Sequence, residues 1–82
     1  MDIAQTLIDN LHTTTMGAQR VRRNMKLDSS LDVSRWAQRL IANAPRDAIT
    51  RRGKNWYVIY NKNILTINAR TYTLITAHNT EK

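Results

Sequence analysis

Residues 56–60, 64–68 and 71–78 are three runs dense in β-branched and aromatic side chains, parted only by Asn61-Lys62-Asn63 and Ala69-Arg70. Such runs with short breaks predict an antiparallel meander. With Ala69-Arg70 as a hairpin tip, Ile67 falls opposite Tyr72, Leu65 opposite Leu74 and Thr66 opposite Thr73. Apolar partners then share one face and threonines the other. Register between the first two runs stays open. A two-residue loop puts Trp56, Val58 and Tyr60 on the Leu65 and Ile67 face, and a three-residue loop puts Tyr57 and Ile59 there. A sheet this small needs an apolar cover, which the upstream residues have to supply.

Three helical patterns precede the sheet. Asp2 can cap a helix over residues 3–11, where Ile3, Ala4, Leu7, Ile8 and Leu11 recur at helical spacing. Thr13-Thr14-Thr15 breaks that pattern and caps a second helix over 16–26, faced by Ala18, Val21 and Met25. Ser29 or Ser30 is expected to cap a third over 31–44, whose stripe of Val33, Trp36, Ala37, Leu40, Ile41 and Ala44 ends at Pro45. On that stripe Trp36 reads as a core residue. A first strand over 48–51 leads through Arg52-Gly53-Lys54-Asn55 into the meander, and Gly53 permits a positive φ there. The expected fold is α+β, three N-terminal helices packed on a C-terminal four-stranded antiparallel sheet, with residues 1–82 as one domain.

At 82 residues the chain buries roughly 60–65% of its unfolded surface, which leaves a thin core. No cysteine is present to staple it. The start at Met1-Asp2 shows no basic stretch ahead of an apolar run, and no apolar segment approaches the ~18–20 residues of a membrane span, so a cytoplasmic protein without membrane attachment is expected. The net charge is +7 with a pI near 10.6. Its placement matters more than its size. Arg20, Arg22, Arg23, Lys26, Arg35, Arg39, Arg46, Arg51, Arg52 and Lys54 face only Asp28, Asp32 and Asp47 in the same window, while Lys62, Arg70 and Lys82 balance Asp2, Asp9 and Glu81. Concentrated positive charge attracts a polyanion: nucleic acid first, an acidic protein surface second. The plain alternative is a solvated basic face that keeps the protein dispersed.

The chemistry-bearing residues are few. One glycine-containing turn is no phosphate loop, and His12 and His78 alone build no structural metal site, so neither cofactor nor metal is expected. His, Arg, Lys, Tyr and Thr on a basic scaffold suit metal-independent RNA cleavage, which needs a base for the 2′-hydroxyl, an acid for the leaving oxygen and cations on the phosphate. His78, closing the last strand, is the leading acid or base, with Arg51, Lys54 and Tyr57 as partners from the first hairpin. Against this stands a strand-end histidine with no role. His12 and Thr14 form a second polar cluster at a helix junction, where outward N–H groups can hold an anion or simply be capped. Arg20, Arg22, Arg23, Lys26 and Arg52 complete the candidate binding surface. Interleaved Trp56, Tyr57 and Tyr60 can stack bases or pack against a helix.

The segments Leu11-His12-Thr13-Thr14-Thr15-Met16-Gly17-Ala18-Gln19-Arg20-Val21, Arg52-Gly53-Lys54-Asn55-Trp56-Tyr57-Val58 and 65–78 resemble a family of small bacterial proteins catalogued as domain of unknown function 3781. The likeness spans nearly the whole chain and implies boundaries without a mechanism. A looser likeness is to the barnase, colicin and RelE-like ribonuclease toxins, in which helices precede a four-stranded sheet carrying the cleaving residues. It implies a toxin-like ribonuclease, by analogy of fold. The alternative is a non-catalytic binding or inhibitor module of phage or mobile-element type. A third possibility is pairing with another chain, as in a homodimer, through an edge strand at 48–51 or 71–78.

Overall fold

The computed structural model describes residues 2–80; Met1, with which the chain-start reading begins, and Glu81 and Lys82 of the charge balance lie outside them. Three helices, α1 (Ile3–Asn10), α2 (Thr15–Met25) and α3 (Val33–Asn43), are followed by a short 3-10 turn (Arg46–Ala48) and four strands. The strands β1 (Ile49–Arg52), β2 (Asn55–Tyr60), β3 (Asn63–Asn68) and β4 (Leu74–Asn79) pair antiparallel in the order β1-β2-β3-β4. The fold is α+β, with the sheet a simple meander.

Side-chain oxygens start each helix. Asp2 Oδ1 accepts the Ala4 N–H at 3.0 Å, and Thr14 Oγ1 accepts the Gly17 N–H at 2.9 Å. The third cap differs from expectation, since Asp32 rather than Ser29 or Ser30 accepts the Arg35 N–H. Ser30 is engaged in a turn of its own, donating through both N–H and Oγ to Asp28 Oδ1 at 2.9 Å. Asp32 stands directly before Val33, where the free N–H groups of the helix point. At the far end Ala44 is extended with ψ 142°, as the residue before Pro45 must be.

Two tight turns set the first three strands in register. Gly53 has φ 59° in the β1–β2 connection, and Asn61 and Lys62 take φ 52° and 66° between β2 and β3. Two successive left-handed residues match the twist of a hairpin. The loop is therefore Asn61-Lys62 alone, Trp56 pairs with Ile67 and Val58 with Leu65, and the two-residue alternative holds.

The last connection departs from the two-residue hairpin at Ala69-Arg70. Asn68 Oδ1 accepts the N–H groups of both Arg70 and Thr71, and the Tyr72 N–H donates to Asn68 O, so the chain turns through five residues before β4 begins at Leu74. Tyr72 itself is left-handed at φ 59°. Ile67 consequently pairs with Leu74, Thr66 with Thr76 and Leu65 with Ala77; the pairs expected from the shorter hairpin do not form. Leu74 keeps its inward face, but the rest of β4 does not follow strict alternation from it: Ala77 turns inward and Thr76 and His78 turn outward. One extra residue is absorbed in a bulge beside Thr66 and Ile67, which lets Leu74 and Ala77, three apart, both point inward.

That inner face, Val58, Leu65, Ile67, Leu74 and Ala77, is fully buried against Leu7, Ala18, Val21, Val33, Ala37 and Ile41 of the helices. Helix α2 lies along β4, and α1 lies on α3. The stripe of α3 thus shares the cover of the sheet with α1 and α2. Ile41 is fully buried, while Trp36 and Leu40 are half-buried at the rim. The β4 edge is engaged at its start and at one carbonyl beyond: the His12 N–H donates to Tyr72 O, His12 O accepts the Leu74 N–H, and Asn24 Nδ2 donates to Ala77 O. No described helix is long and apolar enough to cross a membrane.

Candidate functional site

Because all three helices pack on one side, no described element covers the other side of the sheet. Alternation, reset in β4 by the bulge, places Thr50, Arg52, Tyr57, Ile59, Ile64, Thr66, Thr76 and His78 on it, opposite the buried set. The register arranges these side chains in rows. Ile59, Ile64 and His78 form one, and Thr50, Tyr57, Thr66 and Thr76 form the next. Arg52 stands at the opposite corner from His78. Seven of these residues, Thr50, Arg52, Tyr57, Ile59, Ile64, Thr66 and His78, line a shallow cavity of ≈ 350 Å³. Ile59 is 53% exposed within it, whereas Thr66 at its floor is only 8% exposed. An exposed isoleucine beside a tyrosine on an uncovered sheet is an apolar platform, and here its corners are cationic or titratable.

His78 and Tyr57 share this platform. They are separated by two strands and two residues, roughly 12 Å at Cα for strands about 4.8 Å apart rising about 3.4 Å per residue. Arg51 and Lys54, the other partners expected for His78, line a different cavity. It lies at the turn end of the sheet, measures ≈ 460 Å³, and is completed by Asn68, Ala69 and Arg70. Alternation explains the split: Arg51 pairs with inward-facing Trp56, while Arg52 pairs with outward-facing Asn55. The Arg51 guanidinium carbon sits 5.6 Å from the Trp56 ring centroid.

The remaining candidates are spread over the helical side. Arg20, Arg23 and Lys26 are exposed on α2 and its C-terminal cap, with Lys26 left-handed at φ 55°. Arg22 is half-buried, and its Nε and Nη2 donate to Leu31 O at 3.2 and 2.9 Å, tying α2 to the segment before α3. His12 Nδ1 lies 3.2 Å from Asn10 O and Nε2 lies 3.0 Å from Thr73 Oγ1. With Nδ1 donating and Nε2 accepting from the hydroxyl, the ring joins the α1–α2 linker to the start of β4. Thr14 is occupied as the α2 cap. Among the described residues no group of three or more His, Asp or Glu side chains converges as a metal-ligand set.

Sequence reasoning passed over Ile59, Ile64 and Thr66 as site residues, and also Arg70 and Asn68. The signal for the first three was the alternation itself, readable once the two-residue loop is chosen. Arg70 is brought beside Arg51 and Lys54 by the five-residue turn, which the shorter hairpin conceals.

Over residues 5–78 the chain matches the family model described as Protein of unknown function (DUF3781), the family its motifs resemble. No curated protein and no solved structure matches it, so the likeness to ribonuclease toxins rests on the order of elements alone.

Proposed function

The chain belongs to the DUF3781 family, a description that assigns no activity, and from its surface we propose that it binds single-stranded nucleic acid, RNA foremost, across the open face of the sheet. The observation that carries this is the uncovered platform of Tyr57, Ile59 and Ile64 between Arg52 and His78, on a chain of net charge +7. Unpaired bases have π-faces that stack on aromatic and apolar side chains, and cations at the margin take the phosphates. Thr50, Thr76 and Asn55 on the same face supply the short hydrogen-bonding groups that a 2′-hydroxyl can use.

Binding accounts for the spacing better than cleavage does. A base and an acid must each come within about 3 Å of the proton they move at one phosphate. Side chains that stand roughly perpendicular to the sheet, from Cα atoms about 12 Å apart, meet successive nucleotides of an extended strand instead. The function proposed is therefore that of a binding module in which His78 contacts its ligand and transfers no proton.

Fluorescence anisotropy with a labelled single-stranded RNA at low salt tests this. Wild type should bind without cleaving, and Tyr57→Ala should weaken binding by about 1–3 kcal/mol, the contribution of one stacked base. Absence of binding, or equal affinity for wild type and Tyr57→Ala, would remove the open face as the site. Cleavage that persists under chelation and disappears with His78→Ala would restore the ribonuclease.

A further inference from the structure

The ≈ 460 Å³ cavity at the turn end of the sheet is a second, separate feature. Three of its five lining residues, Arg51, Lys54 and Arg70, are cations, and none is a carboxylate. Arg51 comes from the end of β1 and Lys54 and Arg70 from two different turns, which are fastened together where the Ala69 N–H donates to Lys54 O at 2.8 Å. Arg51 is oriented by its Nε, which donates to Gly53 O at 2.9 Å, and by the Trp56 ring, so its Nη groups are left to face a ligand. Asn68 Oδ1 takes the N–H groups of Arg70 and Thr71 at 2.8 and 2.9 Å. These amides are therefore spent on holding the turn, and the recognition chemistry of the cavity is that of its three cationic side chains.

We infer that this cavity is a binding site for a phosphate group, carried on the end of a nucleic-acid strand or on a small phosphorylated compound. Like charges held together on fixed turns repel, and a multiply charged oxyanion is the ligand that relieves them while accepting charge-assisted hydrogen bonds. The volume falls within the about 300–1,000 Å³ typical of small-molecule sites, so it admits a phosphate with part of its carrier attached. The position suits a strand end as well. Arg52, at the corner of the open face, and Asn68 stand at the same end of the sheet as this cavity, while Arg51 faces the helix side, so a strand crossing from His78 towards Arg52 reaches the cavity by turning round the end of the sheet. The strand-end source rests on the open-face reading above; the phosphate site itself does not.

Two arms keep those failures apart. In the first, pyrophosphate is titrated into the isolated protein while the Lys54, Ala69 and Arg70 amides and the Trp56 indole N–H are followed by NMR. Saturable shifts at these groups are expected in wild type, with affinity falling on the order of tenfold in Arg70→Gln or Lys54→Gln and retained in Lys54→Arg. Both altered side chains are exposed, so the fold should persist, and thermal melting checks it. In the second arm, one single-stranded RNA is compared with a 5′-phosphate, a 3′-phosphate and neither. A terminal phosphate that tightens binding on the order of tenfold in wild type, but not in Arg70→Gln, identifies a strand end as the source and tells which end. Equal affinities with the pyrophosphate response intact identify a small phosphorylated compound. If RNA fails to bind at all while pyrophosphate still does, the open-face reading falls and the phosphate site stands. Absence of pyrophosphate shifts at these groups, with no preference for a terminal phosphate, overturns the site.

Discussion

Lys26 ends α2 in the left-handed conformation, where a side chain costs roughly 1–2 kcal/mol that glycine does not incur. Lys26→Gly should therefore raise the melting temperature, and a fall would mean that the lysine side chain contributes more than its backbone loses. Gly17 has the reverse requirement. A Cβ there would come within 2.9 Å of Thr14 Oγ1, the oxygen that caps α2. Gly17→Ala should thus displace the cap and destabilise by about 0.5–2 kcal/mol, the usual value of such a residue, as measured by chemical denaturation. Burial separates two neighbours on α3: Ile41→Ala should cost about 2–5 kcal/mol, and Leu40→Ala distinctly less, because Leu40 is only half-buried. Asp28 offers a sign to check. Hydrogen bonds from the Ser30 N–H and hydroxyl hold its carboxyl below the ordinary value of 3.8. A depressed folded-state pKa contributes stability above the unfolded value and loses it as pH falls through the folded one, so Ser30→Ala should raise the Asp28 midpoint in an NMR titration.

At the scale of elements, the helices and the faces of β3 were legible because burial imposes a period, 3.6 along Val33, Ala37 and Ile41 and 2 along Leu65 and Ile67. What periodicity does not encode is the length of a turn. The β2–β3 register was readable only as two alternatives, decided by Asn61 and Lys62 both adopting positive φ. The β3–β4 hairpin was misjudged because Asn68 reads as the end of a strand, whereas its side chain captures two downstream amides and lengthens the loop. A misplaced turn hid part of the surface as well: with it, Arg70 was overlooked, while Arg51 and Lys54, grouped with His78 in the sequence, line a separate cavity at the turn end of the sheet because Arg51 faces the helix side. Asn68→Ala should accordingly loosen the connection, seen as faster amide exchange at Arg70 and Thr71 with β2 protection unchanged. Unchanged exchange at those two amides would show that the turn is held by its backbone alone.

Seen whole, the molecule is one-sided: helices and core on one face of the sheet, an uncovered platform on the other, and cations on the helices as well as at the turn end. The sequence locates the charge but not which part of it meets a ligand, since exposed arginines on α2 and at the sheet margin look alike in one dimension. Salt dependence separates them. Contacts confined to the three or four cations near the sheet give a slope of log affinity against log salt of roughly −2 to −3, against about −7 if all ten basic residues of the 20–54 window take part. The most direct measurement is amide chemical-shift mapping of the protein with a short single-stranded RNA at low salt. The account predicts that the largest shifts fall on Tyr57, Ile59, Ile64, Thr66 and His78 and run on to Arg52; shifts confined to α2 around Arg20 and Arg23, or none at all, would contradict it.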